Sequence, residues 1–517
     1  MTSSSSTDAA PAAAARPLPD HVGVVVIGAG LSGIGAGYRL QTECPDRDYL
    51  ILEGRASMGG TWDLFRYPGV RSDSDIFTFG FTFRPWEGDQ ALADGPGILA
   101  YIKETAAEFG IEERIRYSTK VREAAFDTGT GRWMLVLETP AGRHELTCDF
   151  VVGSHGYYSY DAPYDAGLTG LADFAGEVVH PQFWPEDLSV AGKKVVVVGS
   201  GATAVTIVPS IAGEAAHVTM LQRTPTYIAA LPRHDKLAGL AQRFLPEMAA
   251  YRAIRVKNIA YQAGTYAFFR RFPELGKKVL ASGVGRHLGA EAAADNFAPP
   301  YDPWDQRLCV VPDGDLFKAI KRGEAEVVTD TIDTIVPEGI RLASGRLLEA
   351  DVIVTATGLN LDVSAGIEMS VDGEPVDLGS QFMWRGAMVT GVPNYVRVIG
   401  YTNASWTLRA DVTGVLATRV LNLMRERDAA YVVPEPDGEL EPRPLLDLAS
   451  GYIKRSADQL PQQGHRRPWL ITQSYPIDRR QTLHGELDRE LKVVPRSSLA
   501  GASSGSSASS SASESVA

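Results

Sequence analysis

The stretch VGVVVIGAGLSG, residues 22–33, decides the fold of this chain. Its apolar half has the length and composition of a parallel strand that is buried on both faces. Its second half is a GxGxxG turn, in which Gly28 allows the tight turn, Gly30 lets the backbone approach a pyrophosphate, and Gly33 lets the next helix pack closely. The stretch therefore predicts a strand–turn–helix unit whose helix N-terminus binds a dinucleotide.

The end of the next predicted strand indicates which dinucleotide this is. Glu53 closes the segment DYLILE and follows Gly33 by 20 residues. A carboxylate there accepts hydrogen bonds from a ribose diol and repels a 2′-phosphate, which favours FAD or NAD over NADP. The alternative is a glycine-rich turn with a purely structural role.

A long irregular segment follows, GGTWDLFRYPGVRSD, from Gly59 to Asp73. Connections of this length inside a compact domain are uncommon unless they serve a binding site. We expect this segment to lie over the bound cofactor. The alternative is an ordinary connecting loop around a buried tryptophan.

A second strand–turn–helix unit starts at VVVVGSG, residues 195–201, and continues as a GxGxxA turn. An alanine in the third place still permits close packing of helix and sheet. The strand that follows ends in Gln222, Arg223 and Thr224, where the first unit has its acid. A guanidinium without a neighbouring acid favours a 2′-phosphate, so this site is predicted to bind NADPH. The alternative is that Arg223 pairs with an acid on the surface.

Two such units predict an α/β fold with two Rossmann-like dinucleotide-binding domains, one for FAD and one for NADPH, and a helical insertion. The chain is too long for one ordinary core. In chain order, the predicted organisation is a disordered leader (1–20), the first part of the FAD domain (21–160), the first part of the NADPH domain (161–234), the helical insertion (235–300), the second part of the NADPH domain (301–358), the second part of the FAD domain (359–496) and a disordered tail (497–517).

Composition excludes several classes of protein. A formal net charge of -13 argues against a nucleic-acid partner. Three widely separated cysteines form no zinc or dithiol motif, so no metal site is predicted, and they fit a reducing, cytoplasmic compartment. The N-terminus lacks the pattern of a secretory signal, and no apolar run is long enough to span a membrane.

The insertion carries many basic residues, which favour a solvated helical face and leave a peripheral membrane-facing surface as the alternative. These residues are Arg243, Arg252, Arg255, Lys257, Arg270, Arg271, Lys277 and Lys278.

Between the two units stands FAGEVVHPQFWP, residues 174–185. This FxGxxxHxxxWP segment resembles the fingerprint of Baeyer–Villiger monooxygenases, and the stretch from Gly59 to Asp73 looks like that family's GGTW…YPGxxxD signature. The similarity runs from about Val22 to Lys492 and is strongest to the shorter-chain branch of mycobacterial, ethionamide-activating FAD-containing monooxygenases. Segments that carry it are DPWDQRLC, ATGLNL and GYTNASWTL.

The resemblance implies a specific chemistry. NADPH reduces FAD, O2 is the co-substrate, and a C4a-peroxyflavin inserts one oxygen into a ketone to give an ester or lactone, or oxidises sulfur in thioethers or thioamides. The substrate would be a small lipophilic ketone or sulfide. Two alternatives remain, an N- or alkane-hydroxylating flavin monooxygenase and a redox sensor that binds both nucleotides without turnover. The pattern sets neither the oligomeric state nor the physiological substrate.

The resemblance also implies site residues. Arg307 matches the family's active-site arginine and Asp73 the aspartate that positions it; from the residues alone, Arg307 would rather form a surface salt bridge with Asp305 or Asp313. The fingerprint histidine and tryptophan, His180 and Trp184, are expected to shape the interdomain linker rather than to do chemistry. The expected FAD contacts are Gly28, Gly30, Ser32, Gly33, Glu53, Thr61, Trp62, Asp63, Leu64 and Val121. The expected NADPH contacts are Arg71, Ser72, Asp73, Gly199, Ser200, Gly201, Ala202, Thr203, Ala204, Val205, Arg223 and Thr224.

Two positions depart from the family pattern. Gln306 stands where longer-chain members carry a lysine that helps to hold the 2′-phosphate, so the NADPH preference rests more on Arg223. His155 stands where a small hydroxyl residue is more usual.

Overall fold

Two sheets organise the chain, in a computed structural model that describes residues 17–446, 451 and 455–500. The first sheet has nine strands, and a parallel core around the first strand continues into an antiparallel meander. From one edge to the other its strands are Glu374–Pro375, Glu368–Val371, Lys120–Asp127, Arg132–Thr139, Gly142–Gly153, His21–Ile27, Tyr49–Leu52 and Ile115–Arg116, and Tyr395–Arg397 pairs with the end of Gly142–Gly153. This sheet and the helices on it are called the first module.

The second sheet has five strands, all parallel, and belongs to the second module. Its order is Ala325–Thr329, His217–Gln222, Lys194–Val198, Val352–Thr355 and Glu177–Val179. The crossover helices on it are Ala202–Ile211 and Asp315–Lys321. The predicted α/β class with two Rossmann-like units is confirmed, because each sheet has a parallel core whose central strand, His21–Ile27 or Lys194–Val198, is apolar and buried on both faces.

The insertion consists of four helices, Lys236–Phe244, Glu247–Arg271, Pro273–Leu288 and Ala290–Asn296. It packs on both modules. Ala238, Tyr251 and Ile254 join the core of the first module, whereas Val284 and Ala293 join the core of the second. The insertion therefore bridges the two modules, which its position in the sequence does not reveal.

Two chain crossings connect the modules, and they run side by side. The backbone N–H of Ser159 donates to the carbonyl of Asn360 at 2.9 Å, and that of Asp362 donates to the carbonyl of Tyr157 at 2.9 Å. This ladder holds the outgoing and returning segments together. The modules are consequently joined by a two-stranded linker.

The remaining elements complete the cores. The other helices of the first module are Leu31–Glu43, Thr61–Leu64, Ile76–Phe79, Gly95–Glu108, Trp406–Glu426 and Tyr475–His484, with short 3-10 turns at Glu112–Arg114, Leu171–Asp173, Pro181–Phe183, Leu378–Ser380 and Ala457–Gln459 along the chain. Short paired strands are Ile228–Leu231 with Cys309–Pro312, Ile332–Val336 with Gly339–Leu342 and Leu347–Glu349, Met383–Trp384 with Met388–Val389, Ala429–Pro434 with Leu491–Pro495, and Arg443–Pro444 with Gln462–Gln463.

Both ends of the described region extend beyond the predicted boundaries. Leu18 packs against the first module's core, and the carbonyl of Asp20 accepts from Thr147, so residues 17–20 are ordered rather than part of a disordered leader. Residues 497–500 were likewise expected to be disordered, but they belong to a short helix, Arg496–Ala500, that follows the last strand. The rest of the predicted leader and tail, residues 1–16 and 501–517, lies outside the described residues.

One residue that was expected at the surface of the insertion is buried. Arg255, assigned to the basic face of the insertion, is 6% exposed and donates to the carbonyl of Gly80 at 2.8 Å. Its guanidinium thus satisfies backbone carbonyls of the first module and does not contribute to a solvated surface.

Candidate active site

The first glycine turn lies between strand His21–Ile27 and helix Leu31–Glu43, as the sequence predicts. A Cβ on Gly33 would lie 1.9 Å from the carbonyl oxygen of Gly28, so only glycine allows this approach of helix and turn. The N-cap residue Gly30 has no side-chain cap, which leaves the first helical N–H groups free to bind an anion. The hydroxyl of Ser154, beside the turn, is buried and has no hydrogen-bond partner. These features fit a pyrophosphate.

Glu53 lies at the end of the second strand with its carboxylate in the same cavity wall. It accepts from the backbone N–H of Ala29 at 2.7 Å and from that of Arg55 at 2.9 Å. Burial raises the pKa of this carboxyl, and the two backbone donors oppose the rise. Each oxygen has accepted one hydrogen bond and keeps capacity for a ribose hydroxyl.

A cavity of about 350 Å³ runs along this edge of the sheet. Seven of the expected FAD contacts line it, namely Gly28, Gly30, Ser32, Glu53, Thr61, Trp62 and Val121. Gly33 lies beneath the turn, and Asp63 and Leu64 do not line the cavity. Asp63 instead pairs with Arg55 at 2.6 Å, and Arg55 itself lines the wall. Asp63 therefore acts behind the wall, through Arg55.

The structure adds cavity residues that the motifs did not indicate. Among them are Tyr157 and Trp406, whose rings stack at 4.9 Å, and Tyr160, near the guanidinium of Arg55. Trp406 also donates to the hydroxyl of Ser32 at 3.2 Å. The aromatic segments GSHGYYSY and GYTNASWTL are a signal that could have suggested a stacking wall, but only the fold brings them together.

His155, the unusual residue of the sequence, faces the cavity beside a fully buried arginine. Arg397, 1% exposed at the end of strand Tyr395–Arg397, hydrogen-bonds to the His155 ring and donates to the carbonyl of Gly156 at 2.8 Å. Burial lowers the pKa of His155 well below its usual value, and the Arg397 charge lowers it further. A neutral imidazole next to a buried guanidinium therefore places one positive charge behind this wall.

The second glycine turn lies between strand Lys194–Val198 and helix Ala202–Ile211. A Cβ on Gly199 would lie 2.3 Å from the carbonyl of Ala356, whereas one on Gly201 would meet nothing within 4 Å. Gly201 and Ala202 are exposed, and the helix has no side-chain cap. Ala204 and Val205 are buried under the turn. This N-terminus is open to solvent and fits a phosphate group.

Arg223 and Thr224 follow strand His217–Gln222, beside this helix N-terminus. Arg223 is exposed and forms no ion pair with any residue in the described ranges. Its pairing with a surface acid, the alternative weighed above, is not observed. The carbonyl of Thr224 accepts from the hydroxyl of Ser200 at 3.3 Å. This hydrogen bond connects the second glycine turn to the segment that follows strand His217–Gln222.

The segment Gly59–Asp73 connects the two nucleotide turns. Its aromatic part packs into the second module's core through Tyr67, whose hydroxyl hydrogen-bonds with Thr203. Arg71 pairs with Asp315 at 2.6 Å, while its second terminal nitrogen is buried without a partner. Ser72 is buried, and its hydroxyl donates to the carbonyl of Ser74 at 3.0 Å. Of the expected NADPH contacts in this loop, Arg71 therefore contacts the second module through Asp315.

Asp73 and Arg307, which are 234 residues apart in sequence, form a two-pronged ion pair. The Nε and one Nη of Arg307 donate to the two oxygens of Asp73, both at 2.9 Å. The sequence-based alternatives are not observed, because Asp305 pairs with Arg270 and Asp313 accepts from the backbone of Arg233. The charges of this pair act on the pKa of Tyr157, which burial raises and which the Arg307 charge lowers. The pair consequently lies at the edge of the cavity.

The fingerprint histidine lies at the linker. The Nε2 of His180 is 3.3 Å from the carbonyl of Gly358, and its Nδ1 accepts from the backbone of Gln182 at 3.3 Å. Burial lowers the pKa of His180. Both contacts are to backbone at the crossing between modules, and Trp184 packs against the second module's core.

Within the described ranges, no helix has the length and apolar character to cross a membrane. The same part of the chain holds no group of three or more His, Cys, Asp or Glu side chains arranged for a metal ion.

Comparison with known proteins places these features in a family context. Residues 92–236 match the family described as flavin-binding monooxygenase-like, and residues 26–88 match the NAD(P)-binding Rossmann-like domain. The FAD-containing monooxygenase EthA of Mycobacterium tuberculosis is 48% identical over 488 residues, which cover 94% of this chain and 100% of that protein.

Solved structures share the fold at lower identity. A steroid monooxygenase bound to NADP superposes with a TM-score of 0.73 at 20% identity, covering 92% of this chain and 100% of that one. Cyclohexanone monooxygenase in an open form has a TM-score of 0.73 at 21% identity, with the same coverage.

Proposed function

The chain belongs to the FAD-containing monooxygenases, and from this premise we propose that it inserts one oxygen of O2 into ketones, giving esters or lactones, and oxidises sulfur in thioethers or thioamides. It is an NADPH-dependent flavoprotein enzyme. The first turn and its cavity are the proposed FAD site, and the second turn with Arg223 is the proposed NADPH site.

The Asp73–Arg307 ion pair at the edge of the cavity is the observation that carries the proposal. Bound and reduced, FAD supplies activated dioxygen as the oxidant. An oxygen transfer of this kind develops negative charge on oxygen, which a fixed cation stabilises and which water would quench. Arg307 supplies that cation, and Asp73 orients its guanidinium through two hydrogen bonds.

The exposure of the pair shows that burial alone does not hold it in place. The Arg307 side chain is 41% exposed and that of Asp73 is 23% exposed. A half-exposed ion pair is held less firmly than a buried one. The position of Arg307 therefore depends on its two hydrogen bonds to Asp73 and on the segments that carry the two residues.

The reaction class is tested with two simple substrates, a methyl ketone and a methyl aryl thioether. NADPH and O2 should be consumed with formation of the ester from the ketone and the sulfoxide from the thioether. Hydroxylated products in place of both would favour the N- or alkane-hydroxylating alternative. A redox sensor would show no substrate-stimulated NADPH oxidation at all.

The role of Arg307 is tested by Arg307→Ala. We expect the variant to retain FAD, because Arg307 is not among the residues that line the cavity, and to oxidise NADPH with release of hydrogen peroxide instead of ester. Arg322→Ala is the matched control. Arg322 is an exposed arginine that pairs with Glu324 between helix Asp315–Lys321 and strand Ala325–Thr329. Ester formation by Arg307→Ala at the wild-type rate would refute the assignment.

The second part of the proposal is that the enzyme is cytoplasmic, docks on membranes and takes a lipophilic substrate. The helix Lys236–Phe244 buries only Ala238, while Leu237, Leu240 and Phe244 are 62%, 55% and 71% exposed. Between residues 235 and 296 the chain has ten Lys and Arg against five Asp and Glu, although the whole chain is acidic. Exposed apolar side chains beside basic ones suit an anionic lipid surface.

Vesicle sedimentation tests this surface. The FAD-loaded enzyme should co-sediment with vesicles containing phosphatidylglycerol and much less with pure phosphatidylcholine, and Leu240→Ser with Phe244→Ser should release it. Ile477→Ser is the control, since Ile477 is 41% exposed on a different helix. Equal binding by the double variant, or no binding by the wild type, would contradict the docking surface.

A further inference from the structure

The long insertion helix Glu247–Arg271 presents one continuous stripe of polar and aromatic side chains. We name as the stripe the residues Tyr251, Arg255, Asn258, Gln262, Tyr266 and Arg270. Their spacing of three or four positions places them on one side of the helix. From Asn258 to Arg270 the stripe is about 18 Å long at 1.5 Å per residue.

The first half of the stripe binds the segment just after Asp73. The side-chain amides of Asn258 and Gln262 both donate to the carboxylate of Asp75, the former at 2.8 Å. Asp75 in turn caps the short helix Ile76–Phe79 by accepting from the backbone of Thr78 at 2.9 Å. The carboxylate of Asp75 is therefore fully occupied by donors on both sides.

Two further contacts hold the same segment. The hydroxyl of Tyr251 donates to the carbonyl of Phe81 at 2.9 Å, and Arg255 donates to the carbonyl of Gly80 at 2.8 Å. Both stripe residues are buried. Residues 75–81 are thus hydrogen-bonded to the insertion through their backbone carbonyls and through the side chain of Asp75.

The second half of the stripe holds the segment that carries Arg307. Arg270 pairs with Asp305 at 2.8 Å, and the ring of Tyr266 meets that of Trp304 edge to face at 5.4 Å. From the next helix, Lys277 pairs with Asp302 at 2.7 Å.

The backbone of this second segment needs such support. Trp304 has a φ of 73°, a left-handed conformation that is costly for a bulky residue. It persists only where surrounding contacts over-determine it, and those contacts include the stripe.

We propose that the stripe sets the distance between Asp73 and Arg307, because one rigid helix binds the segment next to each of them. Its members Asn258, Gln262 and Arg270 are positioning residues and touch neither nucleotide turn. The inference rests on the proposed function for its effect on oxygenation. When the helix contacts both segments, Arg307 is held by Asp73. When the contacts at either end are weakened, Arg307 is held less firmly, and more of the electrons of NADPH would reduce O2 to hydrogen peroxide instead of supporting oxygenation.

Two variants of the FAD-loaded enzyme, one double and one single, test the two halves of the stripe separately. Asn258→Ala with Gln262→Ala removes the two hydrogen bonds from the stripe to Asp75, and Arg270→Ala removes the ion pair with Asp305. The matched control is Val256→Ala with Ala260→Ser, which has the same four-residue spacing on the exposed side of the same helix. Arg270→Lys keeps the charge and should return exchange and the hydrogen peroxide share to the wild-type level.

Hydrogen–deuterium exchange is the readout that does not depend on turnover. Removal of two hydrogen bonds should raise the exchange rate of residues 71–81 by about 25-fold, taking a factor of about five for each bond. Arg270→Ala should raise exchange in residues 301–309 by about fivefold. The control should leave both segments at the wild-type rate.

Turnover supplies the second readout. The share of NADPH that ends as hydrogen peroxide should rise in both stripe variants and stay at the wild-type value in the control. Unchanged exchange in the two segments, or a wild-type peroxide share despite faster exchange, would overturn the proposal. Arg307→Ala measured alongside separates the two levels: if that variant remains coupled, the proposed function fails; if it is uncoupled and the stripe variants are not, only the stripe fails.

Discussion

Replacement of Arg223 by alanine tests how the chain distinguishes NADPH from NADH. The side chain is exposed at the end of strand His217–Gln222, and it forms no ion pair within the described part of the chain. Its removal therefore breaks no contact that stabilises the described fold. We expect the unfolding temperature of Arg223→Ala to equal that of the wild type, so any effect on cofactor use is a binding effect.

The size of the effect follows from this exposed position. A hydrogen bond to a charged group contributes about 1.5–3 kcal/mol, and solvent screening at an exposed site favours the lower end. A loss of about 1.5–2 kcal/mol corresponds to about a 10–30-fold rise in KM for NADPH. NADH lacks the 2′-phosphate, so its KM should change less than about twofold.

Steady-state oxidation of each nicotinamide at several salt concentrations is the assay. Arg223→Lys should lie between the wild type and Arg223→Ala, because an ammonium keeps the charge without the bidentate geometry. The discrimination by the wild type should also shrink as ionic strength rises. An equal rise in KM for both cofactors, or no rise for NADPH, would refute the assignment of Arg223 to the 2′-phosphate.

Three further predictions concern the first module and the insertion. Glu53→Gln should raise the FAD dissociation constant by about tenfold, about 1.4 kcal/mol, because one carboxylate acceptor is lost; fluorescence of released flavin measures this, and unchanged retention would contradict the ribose contact. Because the folded-state pKa of His155 is lowered, the unfolded chain binds its proton more readily, so folded-state stability is present above pH 6.5 and is lost below it by up to about 1.4 kcal/mol per pH unit. His155→Gln should flatten the fall of the melting temperature between pH 6.5 and 5, and an identical slope would contradict the depressed pKa. Gly264→Ala should stabilise the protein by about 0.5–1 kcal/mol in denaturant unfolding, since a Cβ there meets nothing within 4 Å in a helix interior, and a destabilisation would show that the position is not open.

Sequence periodicity predicted the two nucleotide-binding units closely. The apolar runs that begin at Val22 and Val195 are strands that begin one residue earlier, at His21 and Lys194, because apolar strand composition and glycine spacing are local properties. The prediction of a solvated Arg255 was wrong, because its guanidinium donates to a backbone carbonyl that is remote in sequence. A basic residue on a helix is solvated in most proteins, so the sequence gives no sign of this contact.

The wall of the cavity shows the same limit. Its predicted residues belong to the first turn, to the end of the second strand or to the family resemblance, whereas His155 and Trp406 were not among the expected contacts and come from segments up to several hundred residues from that turn. No local pattern marks Arg397 as buried, because its environment is created by strand Tyr395–Arg397 joining the first sheet.

The sequence by itself determined the fold class, the two glycine turns and the contrast between Glu53 and Arg223. These depend on backbone conformation and on charge at the end of one strand, which neighbouring residues specify. The residues alone favoured Asp305 or Asp313 as the partner of Arg307, the family resemblance implied Asp73, and the tertiary structure shows the pair with Asp73. Only the tertiary structure decided that one insertion helix reaches the segments beside both residues. Ion pairs between remote segments depend on how two modules and a helix pack together, and that packing is a property of the whole chain.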